Sequence, residues 1–372
     1  MNIAIVALTK GGATTAKLLA ERLPGTCLGA DRVKGEPIDA VEVFLPEGFR
    51  DSSDLQDIRY YSSPTPSLIR EIFCSYHGLI LIMATGIAVR SLAPLLQGKE
   101  QDPAVVVVDE RGQFAISMLS GHLGGANDLA RIAAKCLGGT PVITTSTDVQ
   151  GRLAVDVLAR DLGVKLEPLE LLKQVNSLIS KGEKIELISD YPLNLPEDHP
   201  LWRDECWQTR IEPEIEDNAD LNASGVILTS RVISSKALFL RPPSIVVGVG
   251  CRKGIPGHQI LAAIKTALKL AGRSPLSIKK LVSIEAKAEE EGIKWAAGQL
   301  NVATEFYSVE TLQAVLQENT GLAQSDFVHQ QMGVRGVCEP ASLAGCRQGK
   351  IILGKQAGQG VTVALAEEKF GW

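Results

Sequence analysis

The chain has 372 residues, with 38 lysines and arginines against 43 aspartates and glutamates, and a formal net charge of −5. This acidic balance disfavours a general nucleic-acid-binding protein, which normally carries a basic excess. Seven cysteines without a CxxC pair and five scattered histidines predict reduced thiols and no protein-held metal. The N-terminus lacks a signal-peptide pattern, and no apolar run approaches the roughly 18 residues of a membrane span. We therefore expect a soluble, cytoplasmic protein of two or three domains.

Short apolar runs rich in β-branched residues alternate with amphipathic helical segments along most of the chain. The predicted strands are IAIVAL (3–8), LILIM (79–83), AVVVVD (104–109), PVITTST (141–147), KIELIS (184–189), GVILTS (225–230), SIVVGVG (244–250) and KLVSIEA (280–286). The predicted helices include TTAKLLAERL, DLARIAAKCL and HQILAAIKTALKLAG. This alternation predicts a multi-domain α/β fold of largely parallel sheets flanked by helices, with a separate C-terminal α/β domain.

Two breaks in this rhythm divide the chain. Residues 190–222 are rich in prolines and acids and contain two of the four tryptophans, which indicates an irregular region that packs against other elements. The Pro-Pro pair of LRPPS (240–244) stops one element just before a new strand. We therefore predict an N-terminal α/β domain at 1–150, a variable middle region at 151–240 and a C-terminal α/β domain at 241–372.

Four glycine-containing turns follow predicted strands, where open α/β sheets bind ligands. They are TKGGATT (9–15), MATGIAVR (83–90), SMLSGHLGGANDLAR (117–131) and VGVGCRKGIPGHQ (247–259). The first lacks Walker-loop spacing and the last is not GxGxxG, so neither predicts a nucleotide site. Arg252 and Lys253 in the last turn suit a carboxylate or a phosphate. We expect the four turns to converge on one ligand.

The third turn places a titratable ring where a helix begins. Ser117 and Ser120 are predicted to cap backbone amides, and the glycines, among them Gly124 and Gly125, let N–H groups approach an anion. His122, with an ordinary pKa near 6.5, can exchange a proton at neutral pH. Two interpretations stay open: proton transfer beside an oxyanion site, and a histidine that only hydrogen-bonds a neighbouring loop.

Three acidic residues near this turn are further candidates. Asp109 and Glu110 end the AVVVVD strand, close in sequence to the histidine turn, and Asp148 closes the ITTST strand. Each is either an acid–base group or an ordinary turn or cap residue.

Two features of the C-terminal part also suggest chemistry. Glu285 and Lys287, two apart on a predicted strand, are expected to face the same side, as a ligand-binding pair or as an ion pair at a sheet end. The two cations beside Cys251 predict that the pKa of its thiol is lowered. The alternative is that Cys251 is only a small, partly buried residue.

Several motifs in order resemble the CbiG family of cobalamin biosynthesis, the cobalt-precorrin-5A hydrolases. They are MATGIAVRSLAPLL, DPAVVVVDERGQFAISMLSGHLGGANDLA, PVITTSTD and GVGCRKG, and then SIEAKAEEEG, GVRGVCEPASLAG, Lys355 and GVTVALA. The resemblance covers nearly the whole chain and is weakest over residues 160–240. The sequence departs from the family pattern at Glu285, where the family usually has aspartate, which keeps the charge but changes the reach.

The resemblance implies a step of the anaerobic route to vitamin B12. Members of the family open the δ-lactone of a ring-contracted cobalt tetrapyrrole and release the extruded carbon and its methyl group as acetaldehyde, giving cobalt-precorrin-5B. Cobalt travels in the substrate, so no cofactor is expected. The acetate and propionate side chains of the macrocycle are expected to meet Arg90, Arg252 and Lys253. Implied partners are this substrate and, transiently, other enzymes of the pathway, with no nucleic acid and no membrane.

On this basis a set of site residues is expected, with His122 as general base and acid and the amides around Gly124 and Gly125 as oxyanion donors. Asp109 or Glu110 would orient the ring or share the proton, and Ser120 is a further catalytic candidate. The expected substrate-binding residues are Thr85, Gly86, Arg90, Ser117, Gly121, Gly124, Gly125, Asn127, Gly250, Cys251, Arg252, Lys253, Gly254, Glu285, Lys287 and Glu339. Two alternatives remain: a non-catalytic corrinoid carrier of the same pathway and a phosphate-binding α/β enzyme of unrelated metabolism.

Overall fold

The computed structural model describes residues 1–28, 36–50, 58–98, 101–122, 124–213, 215 and 225–369. Its contacts divide the chain into two compact units. The first unit comprises Met1–Leu162, Asn176–Lys184 and Leu195–Cys206, and the second comprises Gly163–Val175, Ile185–Asn194 and Trp207–Trp372. The three-part division at 150 and 240 stays a prediction. Among the residues that the structure describes, no helix is long and apolar enough to cross a membrane.

The first unit is built on one seven-stranded sheet. Its strands and those of a small two-stranded ladder (β2 with β3) are β1 (Asn2–Ala7), β2 (Cys27–Leu28), β3 (Glu36–Pro37), β4 (Ala40–Pro46), β5 (Ile58–Tyr61), β6 (Gly78–Ile82), β7 (Ala104–Val108), β8 (Phe114–Leu119) and β9 (Thr140–Val142). Its helices are α1 (Lys10–Arg22), α2 (Thr65–Ile72), α3 (Thr85–Leu92), α4 (Ala126–Leu137), α5 (Ser146–Val149) and α6 (Val155–Asp161). The strand order is β5-β4-β1-β6-β7-β8-β9, and only the β7–β8 pair is antiparallel.

Both faces of this sheet are buried, which explains its continuous apolar runs. Alternate residues of β1 point to opposite faces because the side-chain period of a strand is two. Ile3 and Ile5 pack in a core with residues of α1 and α4, whereas Ala4 and Val6 pack in a second core with residues of α2 and α3. All five residues of β7 are buried.

The rest of the described chain adds further helices and the two sheets of the second unit. The helices are α7 (Glu170–Ser180), α8 (Pro200–Arg203), α9 (Gly257–Ala271), α10 (Glu291–Leu300), α11 (Val309–Glu318), α12 (Asp326–Met332) and α13 (Cys338–Ala344). The strands are β10 (Lys165–Glu167), β11 (Ile185–Ser189), β12 (Trp207–Ile211), β13 (Val226–Leu228), β14 (Leu238–Arg241), β15 (Ile245–Cys251), β16 (Ile278–Ile284), β17 (Ala303–Tyr307), β18 (Lys350–Gly358) and β19 (Val361–Glu367). The sheet orders are β10-β14-β13-β11-β12 and β17-β16-β15-β19-β18.

The second of these sheets positions the fourth glycine turn. Strands β15, β16 and β17 are parallel, and β19 runs antiparallel to β15, with Cys251 opposite Val361. The turn after β15 therefore lies at the carboxyl edge, beside the start of β19. Helix α13 approaches β15 so closely that a Cβ on Gly248 would lie 1.8 Å from the carbonyl oxygen of Cys338. Only glycine permits this approach.

The α/β class with largely parallel sheets is confirmed, and most predicted strands are present. Two predicted strands continue beyond the C-terminal ends of the observed strands. Strand β9 ends at Val142, before helix α5, and strand β16 ends at Ile284, before a 3-10 helix at Glu285–Lys287. In the first case the polar TSTD run forms a helical turn with an acid in its first turn, which suits the helix dipole.

The prediction of an irregular region at 190–222 is wrong in part. Helix α8 and strand β12 lie within it, and β12 pairs with β11 in the parallel direction. Trp207 is buried, as expected, whereas Trp202 is 42% exposed. Residues 214 and 216–222 of this region lie outside the described residues.

Candidate functional site

The turn that carries His122 lies at the amino edge of the parallel strands. Strand β8 runs antiparallel to β7, with Ser117 opposite Val106, so the chain returns toward the start of β7 before it reaches His122. The Ser120 hydroxyl donates to the carbonyl of Asp102, which precedes β7, at 2.8 Å. The first two glycine turns follow the parallel strands β1 and β6 and lie at the opposite edge. The predicted convergence of all four turns is therefore wrong, because β8 reverses direction.

The imidazole of His122 is held between two carboxylates. Its Nε2 lies 2.6 Å from Asp148 Oδ2, its Nδ1 lies 3.4 Å from Asp156 Oδ2, and the side chain is 12% exposed. Burial lowers the pKa of His122, but the hydrogen bonds to the two carboxylates outweigh burial and raise the pKa to about 9. Burial likewise raises the pKa of Asp148, but its hydrogen bonds with His122 and Arg131 prevail and lower the pKa to about 2.

These contacts favour the protonated form of His122, which donates from both nitrogens and has no lone pair with which to take a proton from water. They therefore disfavour the base half of the predicted base-and-acid role, and the acid half stays a prediction. Asp148 and Asp156 orient the ring, instead of Asp109 or Glu110. Burial raises the pKa of Asp156 and the His122 contact lowers it, with a net lowering, so Asp156 also remains charged.

The first amides of α4 already have acceptors within the turn. The amides of Gly125, Ala126 and Asn127 donate to the carbonyls of His122, Ser120 and Gly121 at 3.1, 3.1 and 3.0 Å. The N-cap residue is Gly125, in the left-handed region with φ 83°, and no side chain caps the helix. The capping roles predicted for Ser117 and Ser120 are wrong, and the Gly125 amide is not available to an oxyanion.

The polar side chains of the turn support its shape. Ser117 donates to Asn127 Oδ1 at 2.7 Å, and Asn127 Nδ2 donates to Asp148 Oδ2 at 2.9 Å. Asn127 is only 3% exposed, so it positions Asp148 and does not present a surface to a substrate. Gly121 and Gly124 also lack room for a side chain, because a Cβ would lie 2.8 Å from Asn127 Oδ1 and 2.4 Å from the Cβ of Ser120, respectively.

Two arginines complete the ion network around His122. Arg131 Nη2 lies 2.7 Å from Asp148 Oδ1, and Arg160 Nη1 donates to the carbonyl of His122 at 2.7 Å. No motif in the sequence indicated Arg131, Arg160 or Asp156. The available signal was the spacing of four residues between Asp156 and Arg160, which is also the spacing of an ordinary pair on a helix.

The residues at the carboxyl edge of the first unit do not reach His122. Asp109 is a turn residue, whose Oδ1 and Oδ2 accept from the amides of Arg111 and Phe114 at 2.9 and 2.6 Å. The exposed Glu110 lies over Gly11, where a Cβ would be 2.1 Å from its Oε1. Thr85, Gly86 and Arg90 belong to α3, and the Arg90 guanidinium lies over Gly86. Five residues of β7 separate this edge from the histidine turn, on the order of 16 Å.

The fourth glycine turn lines a cavity of about 740 Å³ in the second unit. Six residues expected at the site lie on its wall: Gly250, Cys251, Arg252, Lys253, Lys287 and Glu339. Lys355, from β18, adds a further cation. Within the described ranges, none of Arg252, Lys253 and Lys355 forms an ion pair with a carboxylate. Three cations without carboxylate partners around one cavity favour an anionic ligand with several carboxylates.

Lys287 lies in the wall of this cavity, but Glu285 does not. The two residues form a 3-10 helix after β16 and do not share a strand face, so the predicted pairing is wrong. Lys287 is 5% exposed, and its Nζ donates to Glu290 Oε1 at 2.8 Å. Glu290 Oε2 accepts from the amide of Gly254 at 3.0 Å, so one carboxylate holds both Lys287 and the glycine turn in place.

Glu339 has a structural environment although it borders the cavity. Its Oε2 accepts from the amide of Ala323 at 2.6 Å, and its Oε1 accepts from the amide of Lys355 at 2.7 Å. The carboxylate thereby joins the start of α13 to β18. These contacts position the strand that carries Lys355, and the expected substrate-binding role of Glu339 stays a prediction.

The pKa of the Cys251 thiol is raised, whereas the sequence predicted a lowered pKa. Burial raises the pKa of Cys251, and nearby Lys287 opposes this shift only in part. A raised pKa leaves little thiolate at neutral pH.

We expect iodoacetamide at pH 7 to alkylate Cys251 several-fold more slowly than the exposed Cys74 of the same chain, because burial suppresses the Cys251 thiolate. Mass spectrometry of timed digests measures both rates. Faster alkylation of Cys251 than of Cys74 would contradict the structure.

Three family models match consecutive parts of the chain. They are Cobalamin synthesis G N-terminal over residues 67–148, Cobalamin biosynthesis central region over 153–242 and Cobalamin synthesis G C-terminus over 245–366. Together they cover more than half of the chain.

Relatives of similar length were also found. The chain is 33% identical to the cobalt-precorrin-5A hydrolase of Salmonella typhimurium, over 98% of this chain and 97% of that protein. It is 30% identical to the cobalt-precorrin-5A hydrolase of Priestia megaterium, over 98% and 94%. A solved cobalamin biosynthesis protein G homolog from Sulfolobus solfataricus aligns over 98% and 97% at 22% identity with a TM-score of 0.37. On the family models and these two hydrolase relatives, the chain belongs to the CbiG family of cobalamin biosynthesis.

Proposed function

We propose that this protein is a cobalt-precorrin-5A hydrolase that opens the δ-lactone of its substrate and releases acetaldehyde to give cobalt-precorrin-5B. Relatives of that name match nearly the full chain and support the proposal. The structural observation that carries it is the cavity bordered by Arg252, Lys253 and Lys355, none of which has a carboxylate partner in the described ranges. Cobalt is part of the substrate, so the proposal includes no cofactor of the protein.

In this proposal the three cations bind the acetate and propionate groups in two different ways. The planar guanidinium of Arg252 suits two-point binding of a carboxylate, whereas Lys253 and Lys355 act as point charges. The whole chain has a net charge of −5, so this local cluster selects where a polyanion binds.

Lys287 has a different position and a different proposed role. Lactone opening begins when the oxygen of water adds to the carbonyl carbon, loses a proton to solvent and creates a tetrahedral oxyanion. The ring C–O bond then breaks, the departing oxygen takes up a proton to become a hydroxyl, and the new carboxylic acid releases its proton to solvent as it becomes a carboxylate. The nearly buried Lys287 ammonium donates one of its three N–H groups to Glu290, and its remaining donors are preorganised to stabilise that oxyanion at the cavity wall. The His122 network, in this proposal, maintains the architecture of the first unit.

Anaerobic incubation of the full chain with cobalt-precorrin-5A is expected to release one acetaldehyde per substrate consumed, because the lactone opening precedes expulsion of the two-carbon fragment. An aldehyde assay and mass spectrometry of the tetrapyrrole measure both products. Tight binding of the tetrapyrrole without acetaldehyde would identify a carrier instead. Binding of a nucleotide without any binding of a corrinoid would favour an unrelated phosphate-binding enzyme.

A further inference from the structure

A second cavity of about 740 Å³ adjoins the first at the carboxyl edge of β15 and β16. Lys253 and Lys287 line both cavities, and we call the two cavities together the groove. The wall of the second cavity contains Trp295, from α10. Each cavity has a volume within the roughly 300–1,000 Å³ of ligand pockets, so the two together offer space for a macrocycle and its acidic arms.

Trp295 is partly exposed at the wall of the second cavity. It is 46% exposed, and the rest of the indole lies over Gly257, where a Cβ would be 2.5 Å from Cε3 of the ring. Gly292 is equally constrained, because its Cβ would be 2.3 Å from the carbonyl oxygen of Ile255. The two glycines therefore allow the start of α10 to pack against the turn before α9, which presents the indole to the groove.

The acids near Trp295 lie close to lysines. Glu290 pairs with Lys287, and Lys294 Nζ lies 3.0 Å from Glu289 Oε2 and 3.6 Å from Glu291 Oε1. With Lys253, which also lines the second cavity, three lysines balance these three glutamates at the aromatic end of the groove, and Arg252 and Lys355 form its cationic end. This division matches a ligand that has a flat conjugated body and carboxylates on its rim.

We propose that the indole of Trp295 stacks against the macrocycle of the tetrapyrrole, while the acidic side chains of the macrocycle occupy the adjoining cavity lined by Arg252, Lys253 and Lys355. This inference rests on the proposed function and assigns the binding mode of its substrate. Stacking on an exposed ring tolerates differences in the macrocycle, and the cations set its orientation.

The test uses the full chain and cobyrinic acid, a stable cobalt corrin with free acetate and propionate groups. Titration followed by corrin absorbance gives Kd, and titration followed by tryptophan emission gives quenching. We expect Trp295→Ala to raise Kd about tenfold and Trp295→Phe to raise it less than about threefold, because phenylalanine retains a stacking face. The loss of emission on binding is expected to be smaller in Trp295→Phe than in the wild type, and the part that remains comes from energy transfer from the other tryptophans to the corrin.

Trp202→Phe is the matched control. Trp202 is 42% exposed, lies in the first unit, and donates from Nε1 to the carbonyl of Pro196 at 2.9 Å. This variant is expected to keep the wild-type Kd and the wild-type quenching. Circular dichroism confirms that each variant is folded.

Gly257→Ala provides an independent route to the same contact. The added Cβ would displace the indole, so Kd is expected to rise in the wild-type background and to change little in a Trp295→Ala background. A wild-type Kd for Trp295→Ala, or quenching in Trp295→Phe as large as in Trp202→Phe, would overturn the stacking proposal. Acetaldehyde release is measured separately, so wild-type hydrolysis with no role for Trp295 rejects only this inference, whereas Trp295-dependent binding without hydrolysis rejects only the hydrolase proposal.

Discussion

Between pH 6.5 and pH 9, the free energy of unfolding of the wild-type protein is expected to fall by about 3 kcal/mol more than that of a His122→Gln variant. The folded state raises the pKa of His122 from 6.5 to about 9, because the partly buried Asp148 and the buried Asp156 stabilise the imidazolium. A group whose pKa is raised by folding contributes its full stabilisation when the pH is below its pKa in the unfolded state. This stabilisation is lost as the pH rises through its pKa in the folded state. The glutamine variant lacks the titrating group and therefore lacks this part of the slope.

Urea unfolding followed by circular dichroism at several pH values measures the difference. His258→Gln is the control, because His258 is exposed, and we expect it to follow the wild-type profile. Parallel profiles for wild type and His122→Gln would show that the ion network does not stabilise the fold. Asp148 gives the opposite sign at acidic pH: its pKa is lowered from 3.8 to about 2, so its contribution is present above about pH 4 and is lost as pH falls toward 2.

The double variant Arg252→Ala/Lys355→Ala is expected to raise the KM for cobalt-precorrin-5A at least 100-fold. Each charge-assisted hydrogen bond to a carboxylate contributes about 1.5–3 kcal/mol, which corresponds to roughly 10- to 100-fold per contact. The effect on kcat is expected to be smaller, because these cations bind parts of the substrate away from the reacting lactone. Anaerobic initial rates of acetaldehyde release over a range of substrate concentrations measure both constants.

Arg70→Ala/Lys265→Ala is the matched control for that variant. It removes one arginine and one lysine from exposed positions on α2 and α9, so the net charge changes equally, and the wild-type KM is expected. Arg252→Lys is expected to give an intermediate KM, because it keeps the charge and loses the planar fork. An unchanged KM in the double alanine variant would show that the substrate binds elsewhere.

The local motifs suggest a catalytic site at the histidine turn of the first unit, but the contacts favour a ligand site in the second unit. The histidine turn looks catalytic because serine, glycine and imidazole are adjacent in sequence, yet its donors and acceptors are occupied by one another. In the second unit Arg252, Lys253 and Lys355 line a cavity without carboxylate partners in the described ranges. A polar group whose hydrogen bonds are all made within the protein supports the fold. A charged side chain on a cavity wall that has no carboxylate partner can instead bind a ligand.

Local sequence was sufficient for the elements and for part of the site. Continuous apolar runs such as AVVVV predict strands buried on both faces, because burial requires apolar side chains at every position. The turn at Arg252 and Lys253 was predicted because the basic residues and the glycines are adjacent in the chain. The order of motifs was enough to indicate the CbiG family.

Only the tertiary structure decided which residues meet. A five-residue connection with Gly112 in the left-handed region turns β7 into the antiparallel β8, and that reversal moves His122 to the edge opposite Glu110. The DERGQ segment was an available hairpin signal. Asp156, which contacts His122, lies 34 residues from it in the chain. Lys355, which lines the same cavity as Arg252, lies 103 residues from Arg252. Strand direction and long-range packing set those distances, because hydrogen-bond registry between strands depends on the whole sheet and not on the residues of one turn.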